Sequence, residues 1–270
     1  MGYARPGIVG SGTIGCGLAA CASRLTEVRL VARSDASAWR AEEEAQTQAR
    51  KVEGGSPDRI KVTTDGSDVA DCDLVIEAIV EDAVTKVELI AALAVDCPEA
   101  DLASTTSSLS IHDLADRSET GGRLLGLHVF HPVVKMELIE LCLPRGLPDA
   151  ARLRAHAWCD GLGKTAIEVA DQAGFVVNRL LFPLLFEAVR LMDQTGMPAD
   201  DVDACMRLGA GHPMGPLKLL DFVGLDVAAA IGDSLHADSG RESDKVPELI
   251  HALVAEGKLG RKSGEGFYTY

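Results

Sequence analysis

The chain has no excess of basic residues: 26 Lys and Arg stand against 41 Asp and Glu, a formal net charge of −15. That disfavours nucleic acid, whose phosphates need a basic face, and anionic membrane surfaces. No apolar run reaches the length of a membrane span. The seven cysteines (16, 21, 72, 97, 142, 159 and 205) form no C-x-x-C pair, and their number is odd. Most sit in apolar surroundings, so they read as reduced core residues of a cytoplasmic protein. No His/Cys/Asp/Glu cluster has metal-ligand spacing, and no metal is expected. The N-terminus enters a strand at once, with no room for a signal peptide. Met1-Gly2 lacks the hydroxyl residue that a myristoylation signal carries at the sixth position. Internal repeats and low-complexity linkers are absent too.

What remains is a chain of 270 residues, enough for two domains. Residues 6–10, P-G-I-V-G, read as a short buried strand ending in glycine. The turn G-S-G-T-I-G follows, with Gly10, Gly12 and Gly15 enclosing Thr13 and Ile14, then a helix-like stretch and a second strand at Glu27–Ala32. Strand, Gly-rich turn, helix and strand within about 30 residues form the context of a dinucleotide-binding fingerprint. The glycines allow a tight turn and close approach of backbone to a pyrophosphate, and the helix N-terminus offers unpaired N–H groups. Residues 35–58 read as a charged helix, 73–80 as a buried strand of the parallel type, and 102–110 as a strand opening into a hydroxyl-rich turn. Alternation of strands and helices predicts an α/β doubly wound sheet, a Rossmann domain over residues 1–145. From residue 149 the pattern is mostly helical, which predicts a smaller all-helical domain over 146–270. Its segment 174–193 is apolar nearly all round and must be buried in a core or a subunit interface.

The stretch G-L-H-V-F-H-P-V-V-K-M-E-L-I-E places His128 in an apolar run and Glu140 twelve residues later. A histidine that takes a proton from an alcohol works best with a carboxylate on its other ring nitrogen. Read alone, the pair fits that role or a satisfied core histidine.

Together with A-G-F-V-V-N-R-L-L, H-P-M-G-P-L-K-L-L-D-F-V-G-L-D and the terminal G-R-K-S-G-E-G-F-Y, this stretch resembles the L-3-hydroxyacyl-CoA dehydrogenases, including the bacterial 3-hydroxybutyryl-CoA dehydrogenases. The resemblance spans essentially the whole chain. It implies that His128 is the general acid/base on a 3-hydroxyl, that Glu140 pairs with it, that Ser107 hydrogen-bonds the reacting oxygen and that Asn178 positions substrate. Gly10, Gly12 and Gly15 then take the cofactor pyrophosphate, Glu81 and Lys86 lie near the nicotinamide side, and Lys262 is a further cofactor contact. It also implies a homodimer through the C-terminal domain and an active site in the interdomain cleft.

Three departures qualify the resemblance. NAD-dependent members end the second strand with an aspartate; here Ala32 stands there, followed by Arg33 and Ser34, which leans the cofactor NAD(P) towards NADP. The segment before the 73–80 strand is about 15 residues shorter than the family pattern, and it carries an arm that contacts coenzyme A. That keeps open an acyl-carrier-protein-bound substrate beside an acyl-CoA. His131 replaces the usual Asn of H-F-F-N-P, and Ala173 the Pro of P-G-F. A redox-silent structural relative is the remaining alternative, and the intact His128, Glu140, Ser107 and Asn178 argue against it.

Overall fold

Short apolar runs punctuated by glycine turns build the N-terminal sheet in the computed structural model, which describes residues 2–270. In chain order the first compact unit contains β1 (Pro6–Val9), α1 (Thr13–Ala22), β2 (Val28–Val31), α2 (Asp35–Ala49), β3 (Ile60–Thr63), β4 (Leu74–Glu77), α3 (Ala83–Asp96), β5 (Asp101–Ser104), α4 (Ile111–Arg117), β6 (Leu124–Val129), β7 (Leu138–Cys142), α5 (Asp149–Gly161) and β8 (Thr165–Val169). The eight strands form one sheet in the order β3-β2-β1-β4-β5-β6-β7-β8. All neighbours pair in parallel except β6 and β7. Strand order reverses between β1 and β4, the place where doubly wound sheets bind ligands beyond the strand C-termini.

Central strands are buried on both faces, so they read as continuous apolar runs rather than alternating ones. Ile8, Leu30, Leu74, Ile76, Leu125 and Leu127 pack with Leu18 and Ala22 of α1 into the core. Each such aliphatic side chain contributes about 1.5–3 kcal/mol when fully buried. Six of the seven cysteines are buried and free, and only Cys205 is exposed. Burial pushes the Cys142 and Cys159 thiols up to about 12, so both stay protonated.

The second unit, Gln172–Tyr270, holds α6 (Val177–Thr195), α7 (Ala199–Gly209), α8 (Pro216–Val223), α9 (Leu225–Ser239) and α10 (Glu248–Ala255). Its core gathers Phe182, Phe186, Leu217, Leu220, Leu225 and Ile250. The glycine-rich C-terminal segment is anchored by buried carboxylates: Asp221 accepts the N–H groups of Phe267 and Tyr268, both at 2.9 Å, and Asp203 accepts the Tyr268 hydroxyl at 2.8 Å. Among the described residues no helix is long and apolar enough to cross a membrane.

Three strands, β3, β7 and β8, were not expected, and the last moves the domain boundary. The sequence suggests a change of character at residues 145–146, whereas the first unit runs to Asp171. The reason is packing. Ala155, Trp158 and Cys159 of α5 belong to the N-terminal core, and β8 extends the sheet beside β7 with the register Glu140↔Ile167.

Candidate active site

The glycine turn joins β1 to α1. Gly10 adopts a left-handed φ of 127°, and a side chain on it would run into the Ala78 carbonyl; one on Gly15 would run into the carbonyl of Gly10. Gly12 differs, because a Cβ there meets nothing within 4 Å. It precedes α1 in extended conformation, and no side chain caps the helix. The first intrahelical bond runs from Cys16 N–H to Gly12 oxygen at 2.9 Å, which leaves the N–H groups of Thr13, Ile14 and Gly15 outside the helical ladder. Open space facing a bare helix N-terminus fits a dinucleotide pyrophosphate.

At the end of β2, Ala32 is buried and Arg33 is exposed. Arg33 has no ion-pair partner among the described residues. Ser34 is partly committed elsewhere: it caps α2, accepting the Ser37 N–H at 3.4 Å, while its own N–H goes to the Ser37 hydroxyl at 3.1 Å.

His128 and Glu140 meet across the antiparallel pair β6–β7. They are directly opposed in register, and His128 Nδ1 lies 2.7 Å from Glu140 Oε2. Both side chains are buried, at 6% and 1% exposure. A carboxylate only accepts, so Nδ1 donates, and the tautomer of His128 is set.

Glu81 gathers the hydroxyl-rich turn after β5. Its Oε1 accepts the Thr106 hydroxyl at 2.6 Å, the Ser107 N–H at 2.8 Å and the Ser108 N–H at 3.0 Å. The Ser107 hydroxyl reaches the same oxygen at 3.3 Å. Burial alone pushes the Glu81 carboxyl up, but the Lys86 ammonium and these donors outweigh it and hold the carboxyl below the usual range. Lys86 is fully interior. Its Nζ stands 2.6 Å from Glu77 and 3.3 Å from Glu81. Expected as a cofactor contact, Lys86 is tied to two carboxylates.

The two remaining expected residues lie in the second unit. Asn178 is buried in the first turn of α6. Lys262 is half-exposed and holds both oxygens of Asp226, at 2.5 and 2.7 Å, in the first turn of α9. Among the described residues no group of three or more His, Cys, Asp or Glu is arranged to hold a metal ion.

The family model for the 3-hydroxyacyl-CoA dehydrogenase NAD binding domain matches residues 6–172, and that for the 3-hydroxyacyl-CoA dehydrogenase C-terminal domain matches 174–270. The chain belongs to the 3-hydroxyacyl-CoA dehydrogenase family. A curated relative, the 3-hydroxybutyryl-CoA dehydrogenase of Mycobacterium tuberculosis, is 38% identical over 280 residues and is covered, like this chain, to 98%. The crystal structure of M. tuberculosis FadB2 aligns over 100% of both chains with a TM-score of 0.93 at 37% identity. That of (S)-3-hydroxybutyryl-CoA dehydrogenase PaaH1 from Ralstonia eutropha aligns over 99% of both, with a TM-score of 0.91 at 34% identity. Membership bears out the fold class and the enzyme class expected from the sequence, a nicotinamide-dependent oxidoreductase of CH–OH groups.

Within this dehydrogenase fold, two groups near the expected site escape a reading of the sequence. Glu77 stands inside the apolar run D-L-V-I-E-A-I-V, and a carboxylate in a doubly buried strand was the available signal. Asp171 sits at the end of the first unit and accepts the Ser110 hydroxyl at 2.8 Å and the N–H groups of Ile111 and His112 at 3.0 and 2.9 Å. The His112 ring also pairs with it. Asp171 thus fixes the start of α4, directly after the Ser107 turn.

Proposed function

We propose that this chain interconverts a 3-hydroxyacyl thioester and the corresponding 3-oxoacyl thioester, with His128 as general acid/base. The observation that carries the reading is the buried, directly opposed His128–Glu140 pair. With Nδ1 donating to Glu140, Nε2 is the nitrogen that takes the hydroxyl proton in oxidation and returns it in reduction. Glu140 stabilises the imidazolium formed on the way, so the two residues act as one unit. The nicotinamide cofactor, when bound, supplies the hydride acceptor or donor. Gly12 and the bare N–H groups of Thr13, Ile14 and Gly15 hold its pyrophosphate, and Arg33 serves its adenosine end. Ser107 hydrogen-bonds the reacting oxygen, and Asn178 positions substrate. Lys86 acts on the site through Glu81, and Lys262 is a further cofactor contact.

The relatives' names point to coenzyme A as the carrier and to a short acyl chain. One observation favours an acyl-carrier protein as a second reading. Only one long helix, the 15-residue α2, stands between β2 and β4, where the resemblance implies an arm that contacts coenzyme A. We further infer a homodimer through the second unit. Leu180, Leu184 and Leu191 form a stripe on one face of α6 at 71%, 40% and 46% exposure, an unusual density of aliphatic surface.

Steady-state turnover of acetoacetyl-CoA, and of acetoacetyl-acyl-carrier protein, with either reduced nicotinamide tests the proposal. Turnover that disappears in His128→Gln supports it. Absence of turnover with both carriers overturns it, and a preference between them assigns the carrier.

A further inference from the structure

Glu77 has no part in the function proposed above, yet it is one of the best-connected side chains in the first unit. It ends β4 at the reversal of strand order, paired with Val9 of β1 on one side and Ser104 of β5 on the other. Its side chain is 1% exposed. Oε1 accepts the Lys86 ammonium at 2.6 Å and the Ile79 N–H at 2.7 Å, and Oε2 accepts the Ser104 hydroxyl at 2.6 Å. Two paths leave this carboxylate. Through Lys86 it reaches Glu81, which holds the N–H groups of Ser107 and Ser108. Through Ile79 it fixes the chain beside the Ala78 carbonyl, the surface against which Gly10 is packed.

We propose that Glu77 is a positioning residue that sets the Ser107 turn through the buried Lys86 ammonium and the floor of the Gly10 turn through the Ile79 N–H. The inference rests on the reading of those two turns as substrate and cofactor elements. A buried ammonium has to keep carboxylate partners, because an uncompensated charge in the interior is strongly unfavourable. With Glu77 present, Lys86 is balanced from below, and Glu81 is left to spread its Oε1 over the serine turn. Without that charge, Glu81 becomes the sole counter-ion. It is then drawn towards Lys86 and off the Ser107 and Ser108 amides. The order of action is Glu77, Lys86, Glu81, turn, so removing the ammonium as well abolishes the pull on Glu81 and reverses the effect on the serine turn.

The test compares Glu77→Gln, Lys86→Met and the double variant by hydrogen exchange of the cofactor-free protein, fluorescence titration with reduced nicotinamide, and turnover. In Glu77→Gln the amides of residues 105–110 exchange roughly tenfold faster or more, while those of 124–129 are unchanged. Cofactor Kd rises and kcat falls by factors of a similar order. The double variant lacks the ammonium that draws Glu81 away, so its amides at 105–110 exchange within about twofold of the parental rate, while the cofactor effect that runs through Ile79 persists. Ser104→Ala, which removes a neutral donor to Glu77, moves the Ser107 and Ser108 amides in the same direction by less and remains informative if Glu77→Gln does not fold; the Thr106 amide, which bonds the Ser104 hydroxyl directly at 3.3 Å, is left out of that comparison. Unchanged exchange at 105–110 in folded Glu77→Gln, or at Ser107 and Ser108 in Ser104→Ala should Glu77→Gln not fold, overturns the proposal. So does exchange at 105–110 in the double variant as fast as in Glu77→Gln. If the parent protein turns over neither thioester, the functional reading fails, while the exchange result still decides the role of Glu77.

Discussion

His128 and Glu140 are directly opposed residues of two antiparallel strands, and their side chains meet at 2.7 Å with almost no exposure to solvent. Twelve residues of sequence separation thus become a single hydrogen bond through the return of the chain from β6 to β7. A buried pair of this kind keeps its geometry without help from water, which suits a group that gains and loses a proton.

Replacing the ring tests that role. His128→Gln lowers kcat by about 10²–10⁴, the usual contribution of a general acid/base, and leaves cofactor affinity near the parent value. Glu140→Gln lowers the rate and moves its pH profile, because the amide no longer stabilises an imidazolium. Near-parental turnover of His128→Gln in stopped-flow assays sinks the assignment.

The glycines of the first turn separate by role. Gly15→Ala places a methyl against the Gly10 carbonyl, so it destabilises the fold, and the melting temperature drops. Gly12→Ala meets no protein atom, so the melting temperature holds while cofactor Kd rises by roughly tenfold or more. Equal Kd for Gly12→Ala and the parent, by fluorescence titration, means that no ligand occupies that space.

Much of this was legible because it is local. The glycine spacing, the flanking strands and the hydroxyl-rich turn are short-range patterns, and each marks a place where the chain turns towards the site. The residue types of the His128–Glu140 pair were legible too, but the register that joins them is a property of the sheet. Lys86 is the opposite case. In the sequence it stands only as a cofactor contact implied by the resemblance, and only the fold brings Glu77 and Glu81 to either side of it. The strand β8, T-A-I-E-V, carries β-branched residues but is short and flanked by helical patterns, so its pairing with β7 was hidden.

Asp171 makes a prediction about acid stability. Burial pushes its carboxyl up, but the N–H groups of His112 and Ile111, the Ser110 hydroxyl and the His112 ring outweigh that and hold it below the usual range. A depressed folded-state value contributes stability above the unfolded value of about 3.9, and that stability is lost as pH falls through the folded value. Asp171→Asn therefore costs about 1–3 kcal/mol at pH 5, and the gap to the parent narrows towards pH 3. Urea denaturation of both proteins at the two pH values checks this; a gap of constant size contradicts it.

The proposed dimer depends on the α6 stripe. Leu180→Asp and Leu184→Asp place charges on an apolar face and convert a dimer to monomer. Sedimentation of the parent at micromolar concentration is expected to give twice the 28.5 kDa chain mass. A parent that sediments as a single chain removes the dimer.

Cofactor choice turns on the end of β2. Ala32 offers no carboxylate to a ribose hydroxyl, and Arg33 is exposed with no ion-pair partner among the described residues. An acid at that place repels a 2′-phosphate, whereas a guanidinium attracts one. The cap made by Ser34 and Ser37 uses their hydroxyls locally, so the discrimination is expected of Arg33. A charge-assisted Arg–phosphate contact contributes roughly 1.5–3 kcal/mol, or about 10- to 150-fold in affinity. The expected outcome is a higher kcat/KM with NADPH than with NADH, reduced by about that factor in Arg33→Ala while the NADH value holds. A clear NADH preference that Arg33→Ala leaves unchanged shows that Arg33 reads no phosphate.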